Sequence, residues 1–88
     1  MLFRSYSLMN QLLLRILFTD ETSYEVKTSA GDIVKWETKY DLSITDLSKT
    51  THLLYLAWLA VTRLGKTGLA FDAWIDTIAS VEVSDPKA

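Results

Sequence analysis

The sequence predicts a small α+β domain, an N-terminal β-hairpin followed by three α-helices, on three observations. An alternating apolar stretch near the amino end is broken by a short acidic turn and then resumes. Two Ser-x-x-Asp sequences each stand before an apolar repeat of helical period. A glycine then separates the second repeat from a third. With 88 residues there is room for one hydrophobic core and not for two. A composition 49% hydrophobic and 23% charged, with one proline and three glycines, is that of a globular chain.

Leu12, Leu14, Ile16 and Phe18 alternate with Leu13, Arg15, Leu17 and Thr19, as a strand with one buried face requires. Asp20 and Glu21 form the turn, and Tyr24, Val26 and Thr28 resume the alternation, which places a hairpin over residues 11–28. A lone hairpin is marginal in water, so its apolar face needs a cover. Ser29 and Asp32 are spaced as a capping box, and Ile33, Trp36 and Tyr40 behind them predict a helix over 30–40. Ser43 and Asp46 repeat the signal and open a long helix reaching Leu64, with Gly65 as its left-handed stop and Arg63 and Lys66 at the negative end of the dipole. Phe71, Trp74, Ile75 and Ile78 fall at i, i+3, i+4 and i+7, which predicts a final helix. The helical part thus spans 29–82, and 83–88, with Pro86, is a flexible tail. Residues 1–10 read either as a disordered extension or as sequence upstream of a second start at Met9.

The composition argues against several classes of function. A net charge of −2 suits no phosphate-tracking surface. Without cysteine there is no disulfide framework, thiol nucleophile or cysteine-ligated zinc. Arg4, Asn10, Gln11 and Arg15 interrupt the apolar amino end, and the longest wholly apolar run, Leu53 to Val61, has nine residues, about half a membrane span. A soluble protein with no nucleic-acid or membrane partner is expected. Gly65-Lys66-Thr67 lacks the preceding glycine of a phosphate loop, Ala60 standing in its place. His52 is the one histidine, read as a solvated side chain, so no pair of imidazoles can hold a metal. Asp72 and Asp76 are like charges four apart, without a partner base, and read as a solvated acidic face. Glu37 borders the apolar side of its helix, and Arg15 or Arg63 is its expected partner. No catalytic, cofactor or metal constellation emerges.

Plotted as one helix from Ile44 to Leu64, the long segment carries Ile44, Leu47, Thr51, Leu54, Tyr55, Trp58 and Val61 on one broad face. Leu53, Ala57, Ala60 and Leu64 adjoin it, with small residues that permit close approach. Thr45, Ser48, Lys49, His52, Arg63 and Lys66 mark the polar side, and Leu56 and Leu59 project into its middle. An amphipathic surface helix keeps such positions polar, so the two leucines, flanked by Tyr55 and His52, are the expected contact with another polypeptide or a second copy, with Asp72 and Asp76 orienting a partner. The expected core is Trp36, Trp58 and Trp74, one per helix and meeting one another, with Phe71, Ile75 and Ile78.

The order of these features resembles a known family. A strand-turn-strand leads to Asp32-Ile33-Val34-Lys35-Trp36-Glu37. Leu53-Leu54-Tyr55-Leu56-Ala57-Trp58-Leu59-Ala60-Val61-Thr62-Arg63-Leu64-Gly65 follows, and then Phe71-Asp72-Ala73-Trp74-Ile75-Asp76 before Val81-Glu82-Val83. Over residues 12–83 this is similar to the tail assembly chaperones of long-tailed, siphovirus-like bacteriophages. The resemblance departs at Ala70, where the family has Thr or Ser capping the last helix, so that Thr67 must cap it or the cap is lost. It also departs at Asp20-Glu21, in place of Asp-Gly. The resemblance implies a non-enzymatic protein of the infected cell's cytoplasm. Such a protein binds the helical tape measure protein, helps tail tube protein polymerise around it, and is not retained in the virion. It further implies a homo-oligomer without cofactors. The alternative is a small structural virion protein such as a head–tail connector component.

Overall fold

The computed structural model describes residues 12–84; the expectations for residues 1–10 and for the end of the tail lie outside them. The chain is α+β as expected. Strands β1 (Leu13–Phe18) and β2 (Ser23–Lys27) form the hairpin, and helix α1 (Ala30–Tyr40) follows. A 3-10 turn (Ile44–Asp46), helix α2 (Thr50–Arg63), helix α3 (Phe71–Ile75) and strand β3 (Ile78–Ser84) complete it. The sheet is antiparallel in the order β2-β1-β3.

The hairpin turn spans Thr19 to Glu21. Phe18 N–H donates to the Thr22 carbonyl at 2.8 Å, and Glu21 N–H to the Phe18 carbonyl at 3.0 Å. This geometry needs a left-handed residue in third place, and Glu21 supplies it at φ 74°. Asp20 secures the turn by accepting the Thr22 hydroxyl at 2.6 Å and the Thr22 N–H at 3.0 Å, and these bonds, the hydroxyl's foremost, hold its carboxyl below the ordinary range. A Cβ in this region costs about 1–2 kcal/mol, partly offset by the greater unfolded freedom of glycine. Glu21→Gly is therefore expected to stabilise the domain by about 0.5 kcal/mol in urea unfolding; a loss of stability would show that the turn is unstrained.

Helix α1 starts as its sequence indicates. Ser29 Oγ accepts the Asp32 N–H at 3.2 Å, and Asp32 Oδ2 accepts the Ser29 N–H at 3.0 Å. It ends on Asp41, left-handed at φ 56°. The next expectation is corrected. Ser43 caps only the 3-10 turn, and α2 begins at Thr50 behind Lys49, which offers no capping side chain. Glu37 explains the break, because its carboxylate accepts the Ile44 N–H at 2.8 Å and ties the turn back to α1. That backbone donor is the partner of Glu37, in place of the arginines expected. Gly65 ends α2 at φ 74°, with Lys66 N–H on the Val61 carbonyl and Gly65 N–H on the Thr62 carbonyl, a Schellman close.

The C-terminal part also differs. Helix α3 is only five residues long and has no side-chain cap at Ala70; Thr67 instead accepts the Leu69 N–H within the loop. Thr77 donates its hydroxyl to the Trp74 carbonyl at 2.7 Å, which competes with helix continuation, and Ile78 begins a strand. Phe18 pairs with Ile78 and Leu17 with Ser80, so Ala79 is an unmatched bulge, after which Val81 and Val83 return to the core side. Ile78 is therefore a strand residue, and Val83 belongs to the sheet.

The core lies between one sheet face (Leu14, Ile16, Val26, Val81) and the helices (Ile33, Trp36, Leu56, Ala57, Ala60, Val61, Trp74). Trp36 and Trp74 are buried, while Trp58, Phe71, Ile75 and Ile78 are half-buried against this core. The three tryptophans do not form a common contact: among the described residues Trp36 pairs with Tyr40 and His52, Trp58 pairs with Tyr55 and Phe71, and no aromatic pair joins two tryptophans.

Candidate partner-binding surface

The structure corrects the site expected at Leu56 and Leu59. Leu56 is 0% exposed and lies at the centre of the core, while Leu59 is half-buried and packs against it. The physical cause is the late start of α2. Thr45 and Ser48, which set the direction of the supposed polar stripe, belong to the turn and linker, and Lys49 only flanks the helix. Of the stripe's remaining helical members, Arg63 is tied to the core's edge and His52 is half-buried. Arg63 reaches Asp32 with Nε at 3.0 and 3.2 Å from the two carboxylate oxygens, and Nη2 donates to the Lys27 carbonyl at 3.0 Å. His52 packs its ring on Tyr40 with centroids 4.0 Å apart, and edge-on against Trp36 at 5.9 Å. It is no solvated side chain: its Nδ1 is buried with no hydrogen-bond partner among the described residues.

A cluster of half-buried aromatic rings lies on the helices. Tyr55 stands at the centre, with ring centroids 5.6 Å from Tyr40, 5.5 Å from Trp58 and 5.2 Å from Phe71. Trp58 also meets Phe71 edge-on at 5.9 Å. The cluster therefore crosses all three helices, from Tyr40 on α1 through His52, Tyr55 and Trp58 on α2 to Phe71 on α3. Each of these rings keeps some exposure. Lys39 lies over it, its ammonium 5.1 Å from the Tyr55 centroid and 5.6 Å from that of Tyr40. Two indole donors fix the frame: Trp36 Nε1 donates to the His52 carbonyl at 2.9 Å, and Trp58 Nε1 to the Leu69 carbonyl at 3.0 Å. Leu42 and Leu69, each two residues in the chain from a cluster member (Tyr40 and Phe71), are exposed. Burial, and then the neighbouring Tyr55, push the Tyr40 hydroxyl above its ordinary value, so at neutral pH the ring is an uncharged phenol.

Of the residues singled out by sequence, the structure brings Tyr55 and His52 together in this cluster and leaves Asp72 and Asp76 exposed at the two ends of α3. Sequence reasoning missed Tyr40 and Lys39 and gave Trp58 and Phe71 only to the core. A signal was present: His52, Tyr55 and Trp58 recur at three-residue intervals, which keeps them on neighbouring parts of one helix flank. The cluster can bind by apolar contact and by donation from phenol groups and an ammonium. Among the described residues no group of three or more His, Asp or Glu is placed to hold a metal, and no helix is long and apolar enough to cross a membrane. Comparison with family models, curated proteins and solved structures finds nothing that matches the chain.

Proposed function

We propose that this protein is a non-enzymatic assembly chaperone of the phage tail type that its sequence resembles. It holds an apolar helical stretch of the tape measure protein in the host cytoplasm while tail tube protein assembles. The observation that carries the proposal is the aromatic cluster centred on Tyr55: five half-buried rings contributed by three helices, bordered by exposed leucine. Large rings of limited rotamer freedom lose little entropy on binding, and a helix with apolar residues on one side can lie across them. The motif residues behind the resemblance support the same reading, because they build the frame of this surface. Trp36 joins α1 to α2, Glu37 sets the turn before α2, and Gly65 turns the chain toward α3.

The test is co-purification with tape measure protein. Tyr55→Ala with Trp58→Ala, both partly exposed, is expected to leave the circular dichroism spectrum of a folded domain and to lower client capture by at least about tenfold, since central aromatic anchors contribute about 1–2 kcal/mol or more each. Undiminished capture by the folded double variant would remove the cluster from the proposal. Abundant copies of the chain in purified particles would replace the chaperone with a virion component.

A further inference from the structure

The two edges of the sheet are not alike. In an antiparallel ladder, residues point their backbone N–H and C=O groups alternately to one neighbouring strand and to the other. Thr28 N–H donates to the Leu12 carbonyl and Phe18 N–H to the Thr22 carbonyl, so the even-numbered residues of the hairpin pair across it. The odd-numbered residues of β2 therefore face outward, and that edge is guarded. The Lys27 carbonyl is taken by Arg63, and the Lys66 ammonium lies 5.4 Å from the Tyr24 ring centroid. On the other side, Leu13, Arg15 and Leu17 turn toward β3 and pair with Ser84, Glu82 and Ser80. Val81 and Val83 consequently direct their backbone groups away from the sheet, and among the described residues no strand pairs with them. Val83 also keeps 48% exposure on the core side of the sheet, where Leu14, its partner on β1, has none.

Between the two valines, Glu82 stands on the opposite face with Arg15, Leu17 and Ser80 around a shallow depression of about 250 Å³. A strand added over Val81 to Val83 sets its own middle residue directly opposite Glu82, in the close, non-hydrogen-bonded position. A second copy added in the symmetric register that joins Val81 to Val83 twice would set Glu82 against Glu82, which is unfavourable. A lysine or arginine there would be favourable, and apolar neighbours would cover Val83. We propose that the open edge of β3 is a strand-addition site for an extended partner segment of the pattern apolar–basic–apolar, with Glu82 selecting the basic residue. This site is separate from the aromatic cluster on the helices and does not depend on its function.

The full chain supplies the test through a charge swap at the position that would face itself. In sedimentation equilibrium, a mixture of the native chain with Glu82→Lys is expected to associate roughly threefold to tenfold more tightly than either alone, the difference between opposite and like charges across a strand pair. Glu82→Gln, which spares Arg15 a facing lysine, is expected to self-associate more tightly than the native chain. A capped peptide of alternating threonine and valine with a central lysine is expected to shift the Val81 and Val83 amide resonances, and its glutamate counterpart to bind roughly threefold to tenfold more weakly. Native self-association as tight as that of the mixture would overturn charge selection. No association in the mixture, together with unmoved Val81 and Val83 amides, would overturn the site itself.

Discussion

Leu56→Asp is expected to leave no cooperatively folded domain, while Leu59→Asp is expected to stay folded with reduced stability. Leu56 is fully enclosed by the core, where replacement by alanine alone costs about 2–5 kcal/mol for the lost contacts and the cavity. A carboxylate at the same place adds several kcal/mol more, because it must be desolvated or protonated in the core. A domain of 88 residues has only about 4–13 kcal/mol in total. The sum for Leu56→Asp takes up most or all of that margin. Leu59, half-buried on the flank of α2, can turn a carboxylate toward water and should lose about 1–2 kcal/mol. Urea unfolding followed by circular dichroism separates the two: a sigmoidal transition is expected for Leu59→Asp, and no transition for Leu56→Asp. The reverse pattern would mean that α2 is rotated by about a sixth of a turn from the orientation described.

This contrast also indicates how much of the molecule could be read in advance. The hairpin and α1 were legible because their signals are local: alternation in Leu12 to Phe18, and a capping box whose partners are three residues apart. The start of α2 was not legible. Ser43 and Asp46 carry a capping spacing, but the decisive bond comes from Glu37, seven residues earlier, which fixes the Ile44 N–H in a turn. That displacement moved the polar reference of the helical projection and made a core leucine look like a surface one. Strand β3 was hidden for a different reason. Phe71, Trp74, Ile75 and Ile78 fit a helix, and the same Ile78 with Val81 and Val83 fits a bulged strand, so periodicity alone cannot choose between them. The choice falls to the sheet, since β1 needs a neighbour on its second edge. The aromatic cluster was half legible, its α2 members by spacing and Tyr40 only through the packing of α1 on α2.

Arg63→Met is the other change expected to have a large effect, and it should cost more than Asp32→Ala. Asp32 is 2% exposed and Arg63 38%, so the two charges depend on each other unequally. Loss of the arginine leaves a buried carboxylate whose remaining hydrogen bond comes from the Ser29 N–H, and it also frees the outward Lys27 carbonyl. Breaking a buried pair from this side costs about 3–5 kcal/mol. Loss of the aspartate strands a guanidinium that is already partly in water and can move further out. The cost is then mainly the capping bond at the start of α1, about 1–2 kcal/mol, with some loss of the tie between α1 and α2. The double variant Asp32→Ala with Arg63→Met should be less destabilised than Arg63→Met alone, because the uncompensated carboxylate is gone. Denaturant midpoints of the three variants measure this directly. If the double variant instead shows the sum of the two single losses, the residues act independently, and the ion pair does not join the end of β2, the first turn of α1 and the last turn of α2 into one cooperative unit.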